Sequence, residues 1–259
     1  MQQTLPPHDG TGPGFADAYV EIGCLGSPRA IGPSIVFEQS ETGVIWDADG
    51  SGMRALTADE VARLRQIAEE AGFVPGQVTN PHSRIKNNLQ LPQNDPRSEE
   101  AGKLVRAAIF RNQMFRDIVV PKQVARPTLC LYEPGMTYGY HVDEAVFPST
   151  PPMRSDVSCT VFVSDPDDYQ GGELEVESGA GIVSFKCAAG EAVVYPSTTV
   201  HRVAPVTWFQ SMIRDQRQRD VLLQLQQVAN ILHTAGDPQG GRTITEAIRT
   251  NLMRMWAEL

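Results

Sequence analysis

From Arg126 to about Tyr195 the chain is a succession of short strand-like runs with no helical stretch between them, and that grammar limits the fold more than any other feature. Thr128–Tyr132 is compact and apolar until Glu133-Pro134-Gly135 breaks it. Val157–Ser164 alternates small polar with large apolar side chains, as a half-buried strand does. Asp165–Gly172 reads as a wide turn, and Glu173–Glu177 alternates again. The acidic turn has the composition of a calcium loop, but Asp and Gly are also plain turn residues, which is the preferred reading. Gly181–Lys186 and Glu191–Tyr195, joined by Ala188-Ala189-Gly190, predict a hairpin. Many short strands with frequent turn signals point to a mainly β protein with flanking helices, of the sandwich or jelly-roll class.

Within that region Tyr138-Gly139-Tyr140-His141-Val142-Asp143 places an imidazole and a carboxylate two residues apart, on one side of an extended segment. His201 follows sixty positions after His141, in Ser197-Thr198-Thr199-Val200-His201-Arg202-Val203. A His-x-Asp pair with a distant His fits the facial triad that holds Fe(II) and leaves positions open for a cosubstrate and oxygen. The bland alternative is a loop histidine beside a surface carboxylate. Imidazole and carboxylate do not select iron by themselves, so a cupin-like site for zinc or another divalent ion stays open.

Composition narrows the partners. At 259 residues the chain has length for a sizeable core, and 41% of it is hydrophobic. A formal net charge of −9 argues against general nucleic-acid binding, which needs a basic footprint. Cys24, Cys130, Cys159 and Cys187 are scattered without a Cys-x-x-Cys pair, which favours buried thiols in a reducing compartment. No apolar run approaches spanning length and no leader pattern opens the chain. The expectation is a cytoplasmic protein with no membrane partner.

Helices are predicted on both sides of the strands. Thr57-Ala58-Asp59-Glu60 is a capping box, after which Val61, Leu64, Ala68 and Ala71 share a face until Gly72. A second helix is predicted over Ser98–Arg111, with Leu104, Val105, Ala108 and Ile109 inward. Between them Ser83–Gln90 reads most simply as a solvated loop, alternatively as a polar strand lining a substrate cleft. Further helices are predicted over Asp215–Val228, with Val221, Leu222, Leu225 and Val228 inward, and over Thr243–Glu258. The division is a loop-rich extension (1–50), helical support (55–120), a β domain (121–214) and closing helices (215–259). Asp47–Gly52 resembles part of an EF-hand loop but lacks the remaining ligands, so it reads as a turn.

Several segments together resemble one family. They are Tyr-Gly-Tyr-His-Val-Asp at 138–143, Met-Arg-Ser-Asp-Val-Ser at 153–158 and Ser-Asp-Pro-Asp-Asp-Tyr-Gln-Gly-Gly-Glu-Leu at 164–174. Ala-Gly-Glu-Ala-Val-Val-Tyr-Pro-Ser at 189–197, His-Arg-Val-Ala-Pro-Val-Thr at 201–207 and Gln-Ser-Met-Ile-Arg-Asp at 210–215 continue the series. In this order, with Lys86-Asn87-Asn88 and the closing Asn251–Trp256, they resemble the PKHD-type hydroxylases, bacterial relatives of prolyl 4-hydroxylases. The resemblance covers residues 55–259 and implies a double-stranded β-helix, or jelly roll. It implies His141, Asp143 and His201 as Fe(II) ligands and Tyr132 as a hydrogen-bond partner of the cosubstrate 2-oxoglutarate. It further implies hydroxylation of a C–H bond in a peptidyl-prolyl or small amino-acid-like substrate, with succinate and CO2 released and ascorbate re-reducing the iron. Lys86, Asn87 and Asn88 are expected at the substrate cleft, and a homodimer would suit the helical ends and sheet edge.

One departure stands out. The family carries a stretch like Arg-Gly-x-Arg-Val-Ala-Ser-Phe between the Pro-Val-Thr and the Trp-x-Gln-Ser, and its Arg forks onto the far carboxylate of 2-oxoglutarate. Here Thr207 is followed directly by Trp208, and no Lys or Arg occurs between Val203 and Met212. Charged hydrogen bonds contribute about 1.5–3 kcal/mol each, so losing a two-pronged one weakens binding roughly a hundredfold or more. Three explanations compete: an internal gap in the sequence, a substitute cation, Arg214 or Arg154 being candidates, or a catalytically impaired metal-binding or sensor domain of the same fold. The shortened strand is also expected to leave a neighbour's edge unpaired.

Overall fold

The computed structural model describes residues 52–178, 181–202, 207–237 and 240–258, with backbone alone at 207 and 208 and in short strands at 20–22, 37–39 and 45–47. The EF-hand-like turn falls largely outside the described residues. Within the expected extension, Val20–Ile22 runs parallel to Leu129–Leu131, and Phe37–Gln39 pairs with Ile45–Asp47.

The central sheet runs in the order Phe37–Gln39, Ile45–Asp47, Glu191–Pro196, Val157–Val161, Thr207–Ser211 and Pro121–Val124, with Met53–Arg54 also on Glu191–Pro196. A smaller sheet joins Gly181–Phe185, Leu174–Ser178 and His201–Arg202. A third orders Val20–Ile22, Leu129–Leu131, Leu89–Gln90 and Val74–Pro75. Side chains of all three meet in one buried cluster that includes Cys130, Leu174, Val176, Phe185, Val193 and Tyr195. Strand periodicity sends the alternate residues Ala192 and Val194 the other way, onto a helix-backed core. These layers are mainly β with flanking helices, of the jelly-roll kind.

Three helices back that second core: α1 (Ala58–Glu70), α2 (Pro96–Arg111) and α3 (Gln113–Val119). The capping box opens α1, with the Glu60 amide donating to Thr57 Oγ1 at 3.3 Å and the Thr57 amide to Glu60 Oε2 at 2.8 Å. Its buried residues are Val61, Leu64 and Ile67, while Ala68 and Ala71 are half-buried at the margin. The second helix starts earlier than predicted because Asp95 caps the Arg97 amide and Pro96 occupies the first turn. Asn112 ends α2 and begins α3, its side chain accepting from the Phe115 amide, which hid a separate seven-residue helix from a periodicity count.

The predicted hairpin is not formed. Gly181–Phe185 pairs with Leu174–Ser178, and Glu191–Pro196 pairs with Val157–Val161. The intervening turn therefore carries the chain from one sheet to another. Gly190 holds that crossing at φ +88°, and a Cβ there would meet the Leu56 carbonyl at 2.9 Å. The shortened strand after His201 also departs from expectation. Thr207–Ser211 pairs with Val157–Cys159 on one side and with the Pro121–Val124 strand on the other, so those edges are covered.

Two longer helices, α4 (Gln216–Thr234) and α5 (Gly241–Trp256), close the chain. Leu222, Leu223 and Ala229 are the buried apolar residues of α4, whereas Val221 and Val228 are exposed. Around Val120, Ile213 and Leu222 a small third core gathers Leu252, Met253 and Trp256. Among the described residues no helix is long and apolar enough to cross a membrane.

Candidate metal centre

His141 and His201 come from distant segments but face each other as a backbone bridge, each amide donating to the other's carbonyl at 2.9 Å. His201 begins the strand paired with Leu174–Ser178, where Val176 is its register partner. Asp143 follows two residues after His141, and its amide donates to the Ser197 carbonyl at 3.3 Å. One ligand atom from each of the three side chains lies within 4.8 Å of the others.

The hydrogen bonds fix what each group can offer. His141 Nδ1 is 2.7 Å from the Gly139 carbonyl and His201 Nδ1 is 2.9 Å from the Thr199 carbonyl. A carbonyl only accepts, so both rings carry their proton on Nδ1 and turn the Nε2 lone pair inward. His201 Nε2 is buried without a protein partner and stands 3.7 Å from Asp143 Oδ1. Ser158 Oγ donates to Asp143 Oδ2 at 2.5 Å, and Ser197 Oγ lies 2.8 Å from Ser158 Oγ. Burial, reinforced by the neighbouring His201, pulls His141 down to about 4, so it is a neutral donor at pH 7. An orphaned imidazole lone pair, a second neutral imidazole and an oriented carboxylate form a donor set that fits a divalent ion with open positions.

Aromatic rings wall the site. Tyr138 stacks on His141 with centroids 3.8 Å apart, and Tyr195 stands 5.0 Å from the His201 ring. At the rim Arg202 pairs with Glu175, which also accepts from the Tyr140 hydroxyl.

Val157–Val161 is buried on both faces rather than half-buried. Val157, Cys159 and Val161 belong to the helix-backed core, whereas Ser158 touches Asp143 and Thr160 touches the Tyr195 hydroxyl. The small polar positions face the side of the His141, Asp143 and His201 cluster instead of solvent. Their alternation was visible in the sequence; the direction they face was not.

The remaining predicted residues are placed as follows. Tyr132 is half-buried against the cluster of Cys130 and Tyr195, and its hydroxyl accepts from Asn88 Nδ2 at 3.2 Å. Arg214 is exposed at the head of α4, in a surface hollow with Trp256 and Glu258, and does not join the triad. Arg154 is held by Asp156 at 2.6 Å and by Glu258 at 3.1 Å. Neither cation is therefore available to the site as placed. Within Ser83–Gln90 only the first three residues form an irregular, largely exposed stretch: Lys86–Asn87 and Leu89–Gln90 are short strands, and Lys86, Asn88 and Gln90 are buried. Asp165 serves structure, pairing with Arg65 and accepting from the Ala189 amide.

Comparison with known proteins agrees with this geometry. A family model described as the 2OG-Fe(II) oxygenase superfamily matches residues 127–217. A PKHD-type hydroxylase of Sphingopyxis alaskensis is 40% identical over 214 residues, covering 79% of this chain and 97% of that protein. Another, of Beijerinckia indica, is 36% identical over 220 residues, covering 79% and 96%. A solved prolyl-4-hydroxylase of Pseudomonas putida shares 22% identity over 61% of this chain and 90% of that one, at a TM-score of 0.41, too low to carry an argument.

Proposed function

The chain belongs to the PKHD-type hydroxylases of the 2OG-Fe(II) oxygenase superfamily, and from that premise we propose that His141, Asp143 and His201 hold Fe(II) for hydroxylation of a peptidyl-prolyl or small amino-acid-like substrate. The family reaction consumes O2 and 2-oxoglutarate; one oxygen atom enters the C–H bond and the other enters succinate as CO2 leaves. Iron, when bound, supplies the activation of oxygen. The protein's own contribution is positional. The Gly139 and Thr199 carbonyls hold the two imidazole tautomers, and Ser158 orients the Asp143 carboxylate. Tyr138 and Tyr195 wall the centre and limit the approach of water.

The observation that carries this reading is His201 Nε2, fully buried, unpartnered and aimed toward the Asp143 carboxylate. A buried polar atom left unsatisfied costs free energy, and a shared metal ion removes that cost. Ascorbate as a supporting reductant and a cytoplasmic setting accord with the reading; the described cysteines are buried.

One observation favours a second reading, that of a silent metal-binding or sensor domain: no Lys or Arg stands between Val203 and Met212. Purified protein loaded with Fe(II) separates the two. Saturable 2-oxoglutarate binding and succinate release are expected; iron binding without either would transfer the assignment to the silent domain.

A further inference from the structure

Lys86, Asn88 and Gln90 alternate along one strand edge and all three are buried, at 5%, 5% and 0% exposure, while the intervening Asn87 is exposed. Period-2 geometry puts them on one face. Register fixes which face it is. Gln90 is opposite Cys130 and Lys86 is opposite Tyr138, and paired residues project to the same side. Cys130 belongs to the inner cluster and Tyr138 stacks on His141, so this polar row faces the compartment that holds the triad. Lys86 Nζ lies 5.6 Å from the centre of the Tyr138 ring.

The row is built rather than incidental. Lys86 Nζ donates to Thr79 Oγ1 at 2.9 Å, and Thr79 Oγ1 lies 3.0 Å from Gln90 Oε1. Asn88 Nδ2 donates to the Tyr132 hydroxyl at 3.2 Å. Gly76 packs so closely that a Cβ there would fall 1.8 Å from Asn88 Oδ1. Yet Gln90 Nε2 and Asn88 Oδ1 are buried with no protein partner. Amide orientation follows the hydrogen-bond network, so turning Asn88 lets the Tyr132 hydroxyl donate to it and leaves its NH2 outstanding. The row then offers an ammonium and two amide NH2 groups, all donors.

We propose that Lys86, Gln90 and Asn88 form a carboxylate subsite that receives the far end of the 2-oxo diacid whose other end occupies the metal centre. The inference rests on the functional reading above. A buried carboxylate needs both a counter-charge and hydrogen-bond donors, and this row supplies both, its Lys86 ammonium lying against the Tyr138 ring that stacks on His141. Arg202 pairs with Glu175, Arg154 with Asp156, and the buried Arg219 with the carbonyls of Ile213 and Arg214.

The test compares 2-oxoglutarate with 2-oxopentanoate, which has the same 2-oxo acid head and a methyl at the far end. Each is titrated anaerobically into Fe(II)-loaded protein, and binding is read from the visible charge-transfer band. The wild-type protein is expected to prefer the diacid by about 100-fold, as charge-assisted hydrogen bonds imply. Lys86→Met should bring that preference to within about 3-fold while leaving 2-oxopentanoate affinity nearly unchanged. Lys86→Arg should retain part of it, and Gln90→Leu should reduce it by about 10-fold. If Lys86→Met does not melt cooperatively, Lys86→Gln takes its place. A variant that keeps the full preference, or loses both acids equally, overturns the subsite. Equal binding of the two acids by wild type sinks this proposal alone; iron uptake with no band from either acid sinks the functional reading, and this one with it.

Discussion

The Val157–Val161 strand has two buried faces that obey opposite rules. On one, Val157, Cys159 and Val161 meet Leu64, Ile67, Val105 and Phe209 in the helix-backed core. On the other, Ser158 and Thr160 join Asp143 and Tyr195 beside the histidines. Both faces are buried, but the first is packed with apolar side chains. The second retains orphaned atoms on His201, Asn88 and Gln90. The division assigns stability to the helix side and ligand capture to the inner side, with one five-residue strand serving both.

The largest expected effect breaks the inner face. His201→Ala should reduce Fe(II) affinity below detection while costing the apo protein only about 1–2 kcal/mol, from the lost bond to the Thr199 carbonyl and the space the ring leaves. It removes a group whose Nε2 has no protein partner. The measurement is iron content after gel filtration, with urea unfolding of the apo proteins beside it. A large loss of apo stability would mean that the imidazole is a structural core group.

The converse change is made on the helix side. Phe209 packs edge-on against Phe115 at a centroid distance of 4.7 Å and is fully buried. Phe209→Ala should destabilise the fold by about 3–5 kcal/mol, the usual cost of deleting a buried aromatic ring. The fraction that stays folded should still take up Fe(II) with near wild-type affinity. Folded protein that has lost iron would show that the two faces are coupled more tightly than their packing indicates.

The same contrast explains what the sequence disclosed. The triad was legible because His-x-Asp puts two donors on one side of an extended segment, and few histidines compete for the third place. The first helix was legible because Thr57 and Glu60 satisfy local amides that any helix start leaves open. The Lys86 row was not, because polar residues with period 2 look alike whether they face water or a ligand cavity. The choice is made by the register against Cys130 and Tyr138, distant in sequence. The false hairpin failed for a related reason. Local turn chemistry at Ala188–Gly190 is compatible with pairing either to the adjacent strand or to strands of two different sheets. Long-range packing of Val193 and Tyr195 against Leu174 and Phe185 selected the second. The sequence shortened at Thr207 predicts an uncovered edge, but pairing is a backbone property and the following residues supply it.

The smallest predicted effect refines the helix side. Glu60 belongs to the capping box of α1 and also accepts from both terminal nitrogens of Arg111, at 2.9 and 2.8 Å, fastening the start of α1 to the end of α2. The Arg111 guanidinium, with help from the Thr57 amide and hydroxyl, holds its carboxyl down at about 2, below the ordinary 4.5. A depressed carboxylate stabilises the folded state at pH above the unfolded value. That contribution declines as pH falls from roughly 5 toward 2, because protonation then favours the unfolded chain. Glu60 is half-buried but its Arg111 partner is exposed, so screening reduces the effect to about 1 kcal/mol. Glu60→Gln keeps a side chain that can close the capping box but removes the charge facing Arg111. It should therefore lower stability by about 1 kcal/mol at pH 7, and the gap from wild type should close as pH falls through that window. Urea midpoints of the two proteins across the range decide it. A gap that persists unchanged at the acid end would mean that Glu60 acts through geometry alone, leaving the fastening between α1 and α2 to their buried apolar residues.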